Sequence, residues 1–356
     1  MGETSAPFLT VLIHEFVTGG GFAGEDLPPS WAAEGRAMRR ALAEDFASLH
    51  GVRVVMTLDA RLPDEPGPWT VVRVGPGEEP DTFARLASEA DYTLCVAPET
   101  DGVLEARARL IESVGGRSLG SLPEAISLCG DKLRLEEHFR AHGIPTPRSV
   151  RVAPSQGLPH DFPYPAVLKP IDGVGSLNTF YVESATDVPV AALVMNEALL
   201  QPFVPGVPLS ASFLIDSSGH VRWMGIGRQI VSRHSGRFAY EGGFVPHPIT
   251  GQTSELLRAV QSVPGLHGWI GVDFVWDESN GITLLEINPR VTTSYVGWRS
   301  VHPSAHAIAE MWLGRIRSLP IVDDGNPLTP IIGSARFSAD GRVEHSLSTE
   351  RPISTS

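Results

Sequence analysis

Two carboxylates and one amide side chain stand at strand spacing in the segment 271–290, which reads GVDFVWDESNGITLLEINPR. Apolar runs flank a turn cluster that contains Asn-Gly, so the segment predicts a β-hairpin. Folding the hairpin at this turn brings Asp273 opposite Glu286, and Asn288 shares the face of Glu286 because side chains alternate along a strand. Oxygen ligands favour Mg²⁺, and a cation relieves the repulsion between the carboxylates. We therefore predict a magnesium site, with a solvated hairpin edge as the alternative.

Lysine is rare in this chain: only Lys132 and Lys169 are lysines among the 28 basic residues. Lys169 ends a predicted strand, and the small-residue loop 172–176, which reads DGVGS, follows it. An ammonium group next to exposed backbone N–H groups suits a polyphosphate. The loop is not a Walker A motif, because the lysine precedes the glycines. The residues predicted to bind phosphate are Lys169, Gly173, Gly175 and Ser176, with an ordinary turn as the alternative.

An apolar strand breaks at proline and glycine in the segment 199–206, which reads LLQPFVPG. Such a break offers backbone groups to the edge of an adenine and apolar side chains to its faces. The residues predicted at this hinge are Gln201, Phe203 and Val204. A core strand with a proline-rich exit is the alternative interpretation.

The elements that position these residues fall into two kinds. Predicted strands at 8–17, 52–58 and 91–97 alternate with helical periodicity at 31–49, which indicates an open parallel sheet of Rossmann-like type. The glycine-rich turn 18–21 follows the first strand, at the sheet edge where such folds bind ligands. Its pattern is not GxGxxG, which argues against a dinucleotide.

The second half of the chain has a different pattern. A helix over 132–142 ends at Gly143 before the extended segment IPTP, and short strands then follow one another as hairpins. This pattern predicts α+β structure with antiparallel sheet, and one more strand at 331–337. The strands are predicted at 166–169, 179–182, 198–204, 209–215 and 221–228. The resulting regions are 1–120, 121–200, 201–320 and a tail at 321–356.

Composition excludes several classes of protein. The 356 residues carry 28 basic and 41 acidic side chains, a net charge of −13, which argues against a nucleic-acid partner. Two cysteines form neither a disulfide framework nor zinc spacing. No apolar run approaches the ~20 residues that span a bilayer. We expect a cytoplasmic protein without a membrane partner.

Taken in order after Gly130-Asp131, these motifs resemble the ATP-grasp superfamily over about residues 121–318, and the ending Glu-Ile-Asn-Pro-Arg is their most specific part. The resemblance implies two α+β subdomains that clasp ATP, preceded by a Rossmann-like pre-ATP-grasp domain. It also implies ATP and Mg²⁺ as cofactors, with two ions expected and Mn²⁺ as the alternative metal. The family residues matched for nucleotide and metal are Lys132, Lys169, Gly173, Gly175, Gln201 to Val204, Asp273, Glu286 and Asn288.

The chemistry that the resemblance implies is a carboxylate–amine ligase. A substrate carboxylate takes the γ-phosphoryl group to form an acyl phosphate, which an amine then attacks. Arg290 and Arg228 are the candidates for neutralising the transferred group, with a surface salt bridge as the alternative for each. One departure is the absence of an acidic residue after the hinge, at 204–209, where many family members bind the ribose. The ribose site is therefore left unassigned.

Further segments, among them HEFVTGGG at 14–21 and FAYEGG at 238–243, resemble the tyramine–glutamate ligase family of methanofuran biosynthesis. That resemblance implies small-molecule substrates, the γ-carboxylate of L-glutamate and the amine of tyramine. An aromatic slot would draw on Tyr240, Tyr295 and Trp298, with core packing as the alternative for each. The residues predicted to contact substrates are Glu15, Thr18, Gly19, Gly20, Glu34, Tyr240 and Glu241.

Three alternatives stay open at this point. The first is an ATP-grasp ligase for another amino acid and amine, such as a dipeptide or natural-product ligase. The second is a nucleotide-binding protein without catalysis, although neither lysine nor the metal trio is degraded. The third concerns assembly, for which a homodimer is one option.

Overall fold

A computed structural model describes residues 8–173, 175–216, 218–250, 253–302, 305–315 and 333–346. The first region is a four-stranded parallel sheet with strand order β3-β2-β1-β4. Helices connect the first strand to the second and the third to the fourth, which confirms the predicted open α/β sheet. Its elements are β1 (Leu9–Glu15), α1 (Pro29–Ala47), β2 (Val52–Asp59), β3 (Trp69–Val74), α2 (Glu79–Glu89), β4 (Tyr92–Val96) and α3 (Val103–Ser113).

The second sheet is antiparallel and contains 11 strands, in the order β13-β12-β9-β10-β11-β7-β6-β8-β5, with β14 beside β11 and β15 beside β14. The region that contains this sheet begins with the elements α4 (Pro123–Gly130), α5 (Lys132–Ala141), β5 (Val150–Val152), β6 (Ala166–Lys169), β7 (Phe180–Val182), β8 (Ala198–Pro202), β9 (Val207–Ile215), β10 (Val221–His234) and β11 (Arg237–Val245). Its last elements are α6 (Ser254–Ser262), β12 (Gly268–Asp277), β13 (Gly281–Asn288), α7 (Ser294–Val301), α8 (Ala305–Trp312), β14 (Ser334–Ser338) and β15 (Val343–Ser346).

Several predicted bounds differ from the observed ones. The segment after β1 is a helical turn at Val17–Gly21, and α1 begins two residues earlier than predicted because Pro29 suits the first turn of a helix. Strand β10 extends to His234, since the chain reverses only at Ser235 and Gly236, which both have positive φ. The strand predicted at 331–337 is β14, and residues 331 and 332 lie outside the described residues.

The largest core lies between the two sheets. Met38, Leu42 and Phe46 of α1 pack in one cluster with Trp269 of β12 and Tyr295 of α7. Helix α1 is thereby fixed against the second region, and its first turns lie next to the end of β13. The described cysteines, Cys95 and Cys129, are buried and free, and no helix in the described ranges has the length and apolar character needed to cross a bilayer.

Candidate active site

The hairpin of β12 and β13 places the predicted metal ligands together. Asp273 pairs directly with Glu286 across the two strands, and Gly271 pairs with Asn288. Asn288 Nδ2 donates a hydrogen bond of 3.2 Å to Asp273 Oδ2. The predicted juxtaposition of the three side chains is therefore confirmed.

The two carboxylates perturb each other. Burial raises the pKa of Asp273, the neighbouring Glu286 raises it further, and the result is about 7 despite hydrogen bonds from Ser210, Gln229 and Asn288. Burial also acts to raise the pKa of Glu286, but the Lys132 and Lys169 ammonium groups outweigh it and leave that pKa below its ordinary value. The pair thus needs nearby positive charge to be ionised together.

Both lysines supply that charge. Lys132 Nζ lies 3.2 Å from Glu286 Oε2 and donates a 2.6 Å hydrogen bond to the Gly173 carbonyl oxygen. Lys132 opens α5, whose first N–H groups are capped by the Asp131 side chain. Burial and the nearby Lys132 charge lower the pKa of Lys169 to about 8, although Glu286 opposes the shift. The rare lysines therefore converge on the carboxylate pair.

The glycine-rich loop joins this cluster to the first region. Gly175 and Ser176 both adopt φ of 60°, a conformation that glycine tolerates best, and Val174 lies outside the described residues. Thr100 Oγ1 donates to the Asp172 carbonyl oxygen at 3.1 Å, and the Asp101 N–H donates to Asp172 Oδ2 at 3.0 Å. The first region thus holds one end of the loop that is predicted to bind phosphate.

The hinge residues have contacts of their own. Gln201 is buried and its Nε2 donates to Ser149 Oγ at 3.0 Å. The Phe203 ring packs edge-on against Tyr181, with ring centroids 5.2 Å apart, and Val204 is half-buried. The aromatic edge of this hinge is compatible with an adenine site, whereas the amide of Gln201 already bonds within the fold.

The donor set of the hairpin fits a hard cation. Asp273 and Glu286 are half-buried carboxylates that repel each other, and Asn288 adds an amide oxygen. In the described part of the chain, no group of three or more His, Cys, Asp and Glu side chains is arranged to hold a metal ion. A metal ion at this hairpin would therefore bind to two carboxylates, and the Asn288 amide oxygen and oxygen atoms of a bound small molecule would complete its coordination.

Arg290 follows β13 and is fixed by a residue of the first region. Its Nε donates to Glu99 Oε2 at 3.0 Å, and its Nη1 donates to the Val291 carbonyl oxygen at 3.0 Å. Burial opposes the charge, but Glu99, Glu34 and Glu286 together raise the pKa of Arg290 above its ordinary value. Arg290 is thus a positively charged side chain that two hydrogen bonds hold in place near Glu286.

The second predicted arginine lies elsewhere. Arg228 is exposed, and burial together with the Arg228 charge lowers the pKa of His247. The next residue, Gln229, is the one within hydrogen-bonding reach of Asp273. Adjacent residues of a strand point to opposite faces, so Arg228 does not join the cluster.

The predicted substrate residues Glu34 and Tyr240 meet beside this cluster. Thr293, just before α7, donates its hydroxyl to Glu34 Oε1. Burial raises the pKa of the Tyr240 phenol, and the charges of Glu34 and Asp273 raise it further. Residues from α1, from β11 and from the segment after β13 therefore lie close together near Asp273.

The other predicted substrate residues of the first region build the loop itself. Glu15 is 2% exposed, and its carboxylate accepts hydrogen bonds from the N–H groups of Val17 and Thr18 and from the Thr18 hydroxyl. A Cβ at Gly19 would lie 2.5 Å from the Thr57 hydroxyl oxygen, and one at Gly20 would lie 2.4 Å from a Val74 methyl carbon. These glycines are required for close packing of the loop.

The solvent exposure of three further residues bears on their predicted contacts with substrates. Glu241 is exposed, in contrast to the preceding Tyr240. Tyr295 is fully buried, and its hydroxyl donates to Asp45 Oδ2 at 2.6 Å. Trp298 is also buried, with Gly225 against its ring. Tyr295 and Trp298 are core residues, as the alternative interpretation stated.

Four site residues were not singled out from the sequence. Glu99 and Thr293 contact Arg290 and Glu34 across more than 190 residues of chain, so no local pattern marks them. Ser210 pairs with both Asp273 and Gly227, which places its side chain on the metal face of the sheet. Knowledge of strand pairing would have identified Ser210 and, two residues beyond Gly227, Gln229.

Comparisons with known proteins agree with this geometry. A family model of the ATP-grasp domain matches residues 129–294, and a model of the pre-ATP-grasp domain matches residues 52–126, so that the two together cover more than half of the chain. A solved ATP-grasp superfamily protein from Archaeoglobus fulgidus superposes with a TM-score of 0.65 at 23% identity, covering 92% of each chain.

Two curated relatives are tyramine–L-glutamate ligases. The one from Methanocaldococcus fervens is 25% identical over 299 residues, which are 82% of this chain and 89% of the relative. The one from Methanocaldococcus jannaschii is 28% identical over 213 residues, and this match spans 59% of each chain, less than two thirds of the relative's length. With its parallel first sheet, its antiparallel second sheet and both domain matches, the chain is an ATP-grasp protein with a pre-ATP-grasp domain.

Proposed function

We propose that this protein joins a substrate carboxylate to an amine through an acyl phosphate, with the γ-carboxylate of L-glutamate and tyramine as the substrates. The observation that carries the proposal is the Asp273–Glu286 pair, faced by Lys132 and Lys169 and bordered by Arg290. Phosphoryl transfer depends on positioning and charge neutralisation, and these five groups provide both without a protein nucleophile.

Each residue has a defined part in this proposal. Bound ATP would supply the phosphoryl group, and the metal would neutralise the negative charge of its phosphates. Mg²⁺ is the expected metal, with two ions expected and Mn²⁺ as the alternative. Lys132 and Lys169 bind phosphate oxygens, while the Gly173 to Ser176 loop covers them. The residues that would hold the metal are Asp273, Glu286 and Asn288. Arg290 orients the substrate carboxylate and stabilises negative charge on the tetrahedral intermediate.

The choice of substrates rests on two observations. The tyramine–L-glutamate ligases are similar over as much as 82% of the chain, which supports the pair. The acid Glu34 of α1 lies near the aromatic Tyr240 of β11, and these groups suit an ammonium ion and a ring. Methanofuran-type biosynthesis, a cytoplasmic location, a homodimer and the four region bounds stay predictions from the sequence.

The test is ADP release measured across a panel of amino acids and amines, with L-glutamate plus tyramine measured first. We expect ADP release only when ATP, Mg²⁺, the carboxylate and the amine are all present, together with a product of the mass of γ-glutamyltyramine. A higher rate with another pair would keep the ligase and replace its substrates. ATP binding without turnover for every pair would favour a nucleotide-binding protein without catalysis.

A further inference from the structure

An amine needs a base before it can attack. At neutral pH an alkylamine is an ammonium ion, without a lone pair to form a bond to the acyl phosphate carbon. Lys132, Lys169 and Arg290 are cations committed to the carboxylate pair or to Glu99. The base must therefore be sought among the carboxylates near Asp273, Glu286 and Arg290, and this inference rests on the proposed function.

Most of these carboxylates are already engaged. Asp273 and Glu286 form the predicted metal site. Glu99 accepts from Arg290, and Glu15 is 2% exposed and accepts three hydrogen bonds from its own loop. None of these four groups is free to receive a proton without breaking the contacts that build the site.

Glu34 differs from them in its contacts. It is half-buried, and one hydrogen bond to it is found among the described residues, from Thr293 to Oε1. This bond fixes the direction of the carboxylate and leaves its second oxygen to meet a ligand. We propose that Glu34 is the general base that takes a proton from the ammonium group of the amine substrate.

Glu34 would act in the step that forms the amide bond. The ammonium group gives one proton to Glu34, and the freed nitrogen lone pair forms a bond to the carbonyl carbon of the acyl phosphate. The carbon–oxygen bond to phosphate then breaks, and inorganic phosphate leaves with that electron pair. The second proton of the nitrogen goes to the departing phosphate, which gives the neutral amide, and Glu34 later releases its proton to solvent.

The surroundings of Glu34 suit the role of a general base. Burial raises the pKa of Glu34 and Glu15 raises it slightly, whereas the Thr293 hydrogen bond and Arg290 lower it, with a net increase. A carboxylate with a raised pKa is a stronger base. The nearby Tyr240 phenol has a raised pKa as well, so it stays a neutral neighbour of the amine.

Glu34 is also held in place by its helix. Met38 and Leu42 follow it along α1 and pack into the core with Trp269 of the second sheet. Thr293, the residue that holds its carboxylate, lies one position before α7, which belongs to the same core. A general base acts only at hydrogen-bond distance from its proton, and this packing fixes the position of the base relative to the metal hairpin.

The experiment compares two nucleophiles on the same acyl phosphate. Hydroxylamine is largely unprotonated at neutral pH and needs no base, whereas tyramine does. With ATP and L-glutamate, the Glu34→Gln variant should form the hydroxamate at the wild-type rate. Its kcat for amide formation with tyramine should fall by about 10²–10⁴-fold, the usual range for loss of a general base. Thr293→Val should show the same selective loss to a smaller extent.

Glu112→Gln, a matched change at an exposed glutamate of α3, should alter neither reaction. Unchanged amide formation in Glu34→Gln would overturn the proposal. An equal loss of hydroxamate and amide in both Glu34→Gln and Thr293→Val would also overturn it, because Glu34 would then serve the site as a whole. Absence of hydroxamate in the wild-type enzyme would refute the proposed function, and that outcome is independent of the variants.

Discussion

Arg290 and Glu99 are 191 residues apart in the sequence, yet Arg290 Nε lies 3.0 Å from Glu99 Oε2. Arg290 follows β13, and Glu99 follows β4 of the first sheet. The pair is mostly buried, with side-chain exposures of 13% and 7%. The first region therefore helps to hold a cation of the ATP-grasp site in place.

The first prediction tests this pairing through Glu99→Gln. Arg290 loses its charged partner and keeps its bond to the Val291 carbonyl oxygen, so its guanidinium is held less firmly. We expect kcat for amide formation to fall by about 10-fold or more while KM for ATP changes little, since small misplacement of a positioning group is costly. Steady-state kinetics measure both. Glu105→Gln, which breaks an exposed ion pair with Arg109 on α3, is the control and should keep wild-type values. Equal kinetics in the two variants would contradict the pairing's role.

The second prediction concerns Asp273→Asn. Removal of one carboxylate takes away a metal ligand, and we expect kcat to fall by at least about 10²-fold, as when a main electrostatic group of an active site is lost. Thermal unfolding without metal should occur at the same or a higher temperature, because the change removes the repulsion with Glu286. Glu278→Gln, at the exposed turn of the same hairpin, is the control. A variant with full activity would exclude the proposed metal site.

The third prediction concerns Lys169→Met, which keeps the length of the side chain. Loss of the ammonium should raise KM for ATP by about 10-fold or more, as expected for a charge-assisted contact to phosphate. It should not lower the melting temperature, because the charge is buried and its pKa is lowered to about 8. Lys169→Arg is the matched variant: a broad guanidinium does not replace a compact ammonium, so affinity should fall there too. Unchanged ATP affinity in Lys169→Met would remove this lysine from the nucleotide site.

The fourth prediction concerns pH and Glu79, which contacts His14 and Arg107 in the first region. Burial acts to raise the pKa of Glu79, but these two partners outweigh it and lower that pKa from 4.5 to about 2. The unfolded state therefore takes up the proton first as pH falls. The stability that Glu79 contributes is complete above pH 4.5 and is lost progressively towards pH 2.

Urea unfolding at pH 7, 4.5 and 3 measures this contribution. The free energy of unfolding should fall more steeply between pH 4.5 and 3 in the wild-type protein than in Glu79→Gln, which has no proton to bind. Glu89→Gln, at an exposed ion pair of α2, should follow the wild-type curve. Parallel curves for wild type and Glu79→Gln would show that the pair with His14 and Arg107 does not stabilise the fold.

The sequence predicts the relative placement of residues that lie close together along the chain. Asp273, Glu286 and Asn288 lie on one hairpin, so the turn and the alternation of side chains determine their face. The two lysines were found because their scarcity marks them. Each of these inferences needs only a short stretch of chain.

Other features depend on distant pairing and could not be predicted in this way. Strand β10 contains register shifts between Trp223 and Gly225 and between Ile230 and Val231, so alternation counted from the start of the strand does not assign the faces of its middle residues. The pairing of Gly227 with Ser210, which also pairs with Asp273, places Gln229 on the face of the carboxylates and Arg228 on the other. The contact of Thr293 with Glu34 joins residues 259 positions apart. Such pairs follow from the packing of α1 on α7, which no periodicity within either helix reveals.

Helix α1 carries Glu34 near Thr293 and Tyr240, and further along it carries Met38, Leu42 and Phe46 in the shared core. A chimera that imports the first 120 residues of a relative would replace the residue at position 34 and would also bring foreign core side chains against Trp269 and Tyr295. Recombination within this family should therefore succeed when α1 and α7 are exchanged together. Grafts that separate the two helices should misassemble even when every phosphate-binding residue is kept.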